Sequence, residues 1–130
     1  MSMFYFDPII AISHGFSAAY VFEKIWWNIH QSPYAADEHF EDEGNLWRHF
    51  TYLEIHNFFD VTKPSGEIVN ALGSRRTVRR AVDDLTKAGL LNRRSHTFGI
   101  SLSINFDQLR KTVGEDSFTR YLSGDDYDET

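Results

Sequence analysis

The stretch GSRRTVRRAVDDLTKAGLLNRR, residues 73–94, decides how this chain is read. Val78, Ala81, Val82 and Leu85 recur at i, i+3, i+4 and i+7, the spacing that lines one face of a helix. Ser74 is a favoured N-cap residue, and Lys87 followed by Gly89 supplies a basic last turn and a glycine stop. The spacing predicts a helix over about 74–88. On that helix Arg76, Arg80, Asp83 and Lys87 fall opposite the apolar stripe, with Arg79 on the flank. Such a helix buries valine and leucine and offers guanidinium groups to water.

The charge of this segment opposes that of the rest. The 130 residues carry a formal net charge of −6. Between Ser74 and His96, seven cations stand against two aspartates, a net of +5, which leaves −11 for the remainder. A basic island in an acidic chain is a directed field, and it points to an oriented, anionic partner.

The length suits one core, and 42% hydrophobic residues with 15% aromatics exclude a disordered chain. Without cysteine there is no disulfide framework, thiolate metal site or cysteine nucleophile. No run approaches the ~18 apolar residues of a membrane span, and MSMFYFDPIIAISHG lacks the basic flank and cleavage site of a secretory signal. These features lead us to expect a soluble, cytoplasmic protein. We expect one domain over residues 1–113 and an acidic tail at 114–130.

Outward from the basic helix, LLNRRSHTFGISLSINF reads as a hairpin, with Leu90–Arg94 and Ile100–Ile104 as its strands. Phe106–Val113 reads as a last short helix. Upstream, EIVNALG at 67–73 reads as a two-turn helix after the turn DVTKPSG. Thr51–Phe59 reads as an aromatic helix, with a short extended piece at Trp47–Phe50. Residues 32–45, SPYAADEHFEDEGN, read as an acidic surface loop. At the N-terminus Asp7-Pro8 opens a short helix that Gly15 stops, and Ser17 is expected to cap the longer SAAYVFEKIWWNIHQ helix. The expected fold is mainly α with a small β-hairpin wing.

PSGEIVNALGSRRTVRRAVDDLTKAGLLNRR resembles the winged helix-turn-helix family. The family's pattern runs S-x-x-T-V-x-R-A-(V/L)-x-x-L-x-x-x-G-L-(I/L), and here it stands as Ser74, Thr77, Val78, Arg80, Ala81, Val82, Leu85, Gly89, Leu90 and Leu91. The resemblance implies a recognition helix at about 74–88 and a wing at about 90–105. It also implies that Ser74, Arg75, Arg76, Thr77, Arg79 and Arg80 face DNA, with Arg93, Arg94 and His96 on the wing. Which helix supports the recognition helix, 51–59 or 66–72, stays open at this level. ISHGFSAAYVFEKIWWNIHQ, an acidic insert and Trp47 add a second likeness, to the N-terminal domain of phage replisome-organiser and plasmid-type replication proteins.

Arginine suits such a role because its planar fork pairs with phosphate oxygens and with guanine O6 and N7. The competing use of these side chains is internal, in i,i+4 pairs such as Arg79–Asp83 and Arg80–Asp84. The reading is therefore binding of double-stranded DNA by a phage or plasmid-type regulator or replication-associated factor. The Trp-rich helix adds the expectation of a homodimer, since exposed tryptophans are a liability in a monomer. The rival is a small phage-type inhibitor, for example an anti-CRISPR protein, built on a winged-helix scaffold, whose acidic surface at Asp37, Glu38, Glu41, Asp42 and Glu43, with the acidic tail, engages a basic host protein. That acidic run lacks calcium-loop spacing, and no nucleophile, phosphate-loop or cofactor motif is present. We therefore expect no enzyme, no cofactor and no metal.

Overall fold

The computed structural model describes residues 6–31 and 39–122. In chain order it contains α1 (Pro8–His14), α2 (Phe16–His30), β1 (His39–Asp42), β2 (Asn45–Phe50), α3 (Tyr52–Asn57), β3 (Asp60–Thr62), β4 (Ile68–Asn70), α4 (Arg75–Lys87), β5 (Leu91–Ser95), β6 (Ile100–Ile104) and α5 (Phe106–Leu122). Four strands form an antiparallel sheet in the order β1-β2-β6-β5, and β3 and β4 form a separate two-stranded one. The fold is α+β, which corrects the expectation of a mainly α chain with a small wing.

The largest departure lies in the acidic segment. Residues 39–50 form a hairpin with Asp42 opposite Asn45 and only Glu43-Gly44 between them. Both turn residues have positive φ, 52° and 80°, the backbone twist that a two-residue hairpin loop needs. Phe40 stacks on Trp47 across the pair, with ring centroids 6.3 Å apart. Carboxylates on an edge strand keep it soluble and disguise it as a loop. β2 then pairs with β6 through Arg48 to Phe50, adding two strands to the expected hairpin.

A second departure separates α3 from α4. The expected helix at 66–72 is the hairpin β3–β4, because Pro64-Ser65-Gly66 makes the turn and Val61 and Thr62 pair with Val69 and Ile68. Asn70 ties this hairpin to α3, donating from Nδ2 to the His56 carbonyl at 2.7 Å and to Asp60 at 2.9 Å. The tight link of a helix-turn-helix is therefore absent here. α4 packs against both α2 and α3.

The core lies between the sheet and the helices. Ile100, Leu102 and Ile104 of β6, Phe50 of β2, and Val78, Ala81, Val82 and Leu85 of α4 join Val21, Phe22, Ile25, Trp26 and Ile29 of α2 in one buried cluster. Ser101 and Ser103 point to the other side of β6 and are buried as well, contacting His96 and Asn92 at 2.7 and 3.0 Å. Asp7 caps α1 as expected, whereas α2 starts at Phe16 with Gly15, not Ser17, at its N-cap.

Residues 114–122, expected to belong to an acidic tail, continue α5. Gly114 kinks α5 at φ 84°, and the helix resumes to carry Phe118 and Tyr121 into the core. Glu23 of α2, itself buried, holds this second half: Arg120 donates to both its oxygens at 2.5 and 3.0 Å, and the Tyr121 hydroxyl donates at 3.0 Å. Burial, with Glu23 beside it, pushes the Tyr121 phenol far above its ordinary range. Residues 123–130 lie outside the described residues.

Candidate nucleic-acid interface

α4 is the element on which the expected site stands. Its apolar stripe is locked against α2 and α3, so its orientation is set and its outer face is left to the solvent. Arg75, Arg76, Arg79 and Arg80 are all exposed, while Thr77 is half-buried. Ser74 occupies the N-cap with extended backbone but makes no side-chain cap bond; its carbonyl accepts from the Thr77 N–H at 3.1 Å, and its hydroxyl takes up none of the first N–H groups of α4.

The partners of these arginines separate them. Arg79 lies over the Tyr52 ring of α3, 4.3 Å from its centroid. Among the described residues, no carboxylate comes within ion-pair distance of Arg75, Arg76 or Arg80. The intrahelical pairs Arg79–Asp83 and Arg80–Asp84 do not form. Asp83 turns instead to β5, where Arg93 donates to it at 2.5 Å, and that bond holds the Arg93 guanidinium above its usual range.

The expected wing residues are in a different state. Arg94 donates to Asp42 at 2.6 Å and lies 4.1 Å above the Trp47 ring. His96 is exposed, with its Nε2 at 2.7 Å from the Ser101 hydroxyl and its ring 5.7 Å from that of His49. Arg93 and Arg94 line an open groove of about 520 Å³ with Glu43, Asn45, Trp47, Thr86 and Asn92. Both expected wing arginines are thus paired in place, and among the described residues only α4 presents guanidinium groups without a carboxylate partner.

The acidic candidates divide too. Glu41 and Asp42 lie on β1 and Glu43 in the turn after it, all exposed, whereas Asp37 and Glu38 lie outside the described residues. Asp42 is engaged by Arg94. The physical ground for a homodimer weakens, because Trp26 is fully buried with its Nε1 donating to the Tyr121 carbonyl at 3.3 Å. Trp27 is 37% exposed, with the Lys24 ammonium 5.8 Å from its ring.

Sequence reasoning missed two aromatic residues beside the arginines and an exposed one in the β5–β6 turn. Tyr52 seats Arg79, Trp47 seats Arg94, and Phe98 stands out from the β5–β6 turn. Two of these cation–π pairs join elements far apart in the chain, so no local signal marks them. No helix among the described residues is long and apolar enough to cross a membrane. No family model, curated protein or solved structure matches this chain.

Proposed function

We propose that the chain binds double-stranded DNA through the outer face of α4, as a phage or plasmid-type regulator or replication-associated factor of the winged-helix kind it resembles. The observation that carries this reading is the exposed trio Arg75, Arg76 and Arg80, unpaired on a helix whose opposite stripe is fixed in the core. Leaving three guanidinium groups without a carboxylate in a chain of net charge −6 makes sense when the counterion is external. Arg76 and Arg80 are one helical turn apart and project together, so they can reach into a major groove while Arg75 and the N–H groups at the α4 N-terminus meet phosphate. Tyr52 holds Arg79 at the margin of that face. Arginine–phosphate contacts release counterions, so binding weakens as salt rises, while the acidic remainder opposes phosphate at range.

The test is affinity for random-sequence duplex across a salt series, for the native chain and for Arg76→Ala/Arg80→Ala. Binding that weakens with salt and is lost in the double variant supports the reading. Native chain that fails to bind even at low salt overturns it.

A second reading rests on the exposed carboxylates Glu41 and Glu43 at the sheet's outer hairpin, which offer a surface to a basic, nucleic-acid-binding host protein. In that case Glu41→Lys/Glu43→Lys abolishes the chain's inhibitory effect in the host and the α4 variant leaves it intact.

A further inference from the structure

The turn between β5 and β6 is hydrogen-bonded to β2 and across its own base, and it presents an aromatic ring to solvent. Phe98 is 82% exposed and belongs to no buried cluster. Its backbone is nevertheless tied on every side. The Phe98 carbonyl accepts from His49 Nε2 of β2 at 2.7 Å, which makes that nitrogen the protonated one. The His96 N–H donates to the Gly99 carbonyl at 3.1 Å, and the His96 ring meets Ser101. Gly99 has φ +97°, and a Cβ there would run into the Phe50 carbonyl and the His49 ring.

The direction of the turn follows from the chain. β5 runs back along α4, since Leu90 donates to the Leu85 carbonyl and Arg93 reaches Asp83, one step nearer the start of the helix. Gly99 in the turn abuts the Phe50 carbonyl, and Tyr52, two residues further along that chain, carries the Arg79 guanidinium of α4 on its ring, so the turn lies on the Arg79 side of the helix.

We propose that Phe98 is an apolar wedge that enters the groove beside the one α4 occupies and inserts between base pairs, with His49 as its positioning residue. The inference rests on the DNA reading above. A ring held clear of the protein on a fixed backbone loses little freedom on insertion, and insertion supplies the apolar cover it lacks. The step makes no covalent change. Because Phe98 carries no charge, its contribution is independent of salt.

The experiment measures binding of a fluorescent 30-base-pair duplex, and of the same duplex with a central two-base mismatch, by the native chain, Phe98→Ala, Phe98→Trp and Arg76→Ala/Arg80→Ala. A mismatch unstacks the step in advance, so a wedge prefers it. The native chain should favour the mismatched duplex by about fivefold or more, as expected when unstacking is already done. Phe98→Ala should lose that preference and bind intact duplex about tenfold more weakly with an unchanged salt slope, and Phe98→Trp should restore both. Phe98 is exposed, so its removal does not threaten the core. If the native chain binds, the arginine variant does not, and Phe98→Ala equals native on both probes, the wedge is overturned and the DNA reading survives. If the native chain binds neither probe, both fall.

Discussion

Two pairs of arginines, Arg76 and Arg80 on α4 and Arg93 and Arg94 on β5, look alike in the sequence and have opposite fates in the fold. The strand pair is spent internally, on Asp83 and Asp42, with Arg94 also covering Trp47. The helix pair has no carboxylate within reach among the described residues. The difference arises because β5 is an edge strand packed beside α4, which brings Asp83 to Arg93, and because the β1–β2 hairpin brings Asp42 to Arg94. Cation count is therefore a poor guide to available charge. Pairing has to be subtracted first.

The sharpest way to break the comparison is to delete the free pair. Arg76→Ala/Arg80→Ala should lower duplex affinity by about a hundredfold, at roughly 1–3 kcal/mol for each arginine that reaches a base edge, and reduce the salt slope by about two. The melting temperature should not move, since neither side chain supports the core. A variant that melts early would place these residues among the structural ones.

Deleting a paired arginine should do the reverse. Arg93→Ala leaves Asp83 without its partner at a partly buried contact and should cost about 1 kcal/mol of stability, read as a drop of several degrees in Tm. Its effect on DNA affinity should stay under about threefold, because an engaged guanidinium is not offered to phosphate. A tenfold loss of affinity at unchanged Tm would mean that Arg93 leaves Asp83 to meet DNA.

Acid perturbs the fold while leaving every arginine charged. Burial, reinforced by nearby His39, lowers His30 from 6.5 to about 4. Its ring packs edge-on against Phe106, with centroids 5.1 Å apart. The unfolded chain takes up this proton as pH falls through 6.5, whereas the folded chain resists until about 4. The unfolded state thus binds more protons across that window, and the stabilisation present above pH 6.5 is progressively lost down to about 4. His30→Leu should flatten the decline of Tm between those limits. A profile parallel to the native one would show that His30 takes its proton normally in the fold.

The smallest expected effect is release of the second wing arginine. The Arg94–Asp42 pair is partly exposed, so Asp42→Asn should leave stability nearly unchanged. Freeing the guanidinium should raise duplex affinity two- to threefold at low salt, by roughly one added phosphate contact, and the gain should vanish as salt rises. No gain at low salt would show that Trp47 alone keeps Arg94 from DNA.

How much was legible follows from the range of each signal. The α4 stripe of Val78, Ala81, Val82 and Leu85 is a local periodicity that packing did not override, and all four residues are buried. The β5–β6 hairpin was legible for the same reason, as two apolar runs joined by a turn. Residues 67–70 were misread because Glu67, Ile68, Val69 and Asn70 suit either state, and pairing with Asp60–Thr62 decides it. The hairpin at 39–50 was hidden by its exposed carboxylates. The helical run after Gly114 was hidden because its anchor, Glu23, lies 97 residues away from Arg120.

By itself the sequence determined the basic helix, its buried stripe, its start and its stop, because amphipathic periodicity and terminal residue preferences act within a few residues. It also determined the charge contrast between that helix and the remainder. Only the tertiary structure decided that β2 closes onto β6, that Glu23 holds the C-terminal helix, and which arginines are left free. Those outcomes depend on contacts between residues dozens of positions apart, and a carboxylate at 42 or 83 quenches a guanidinium only once the chain has brought the two together.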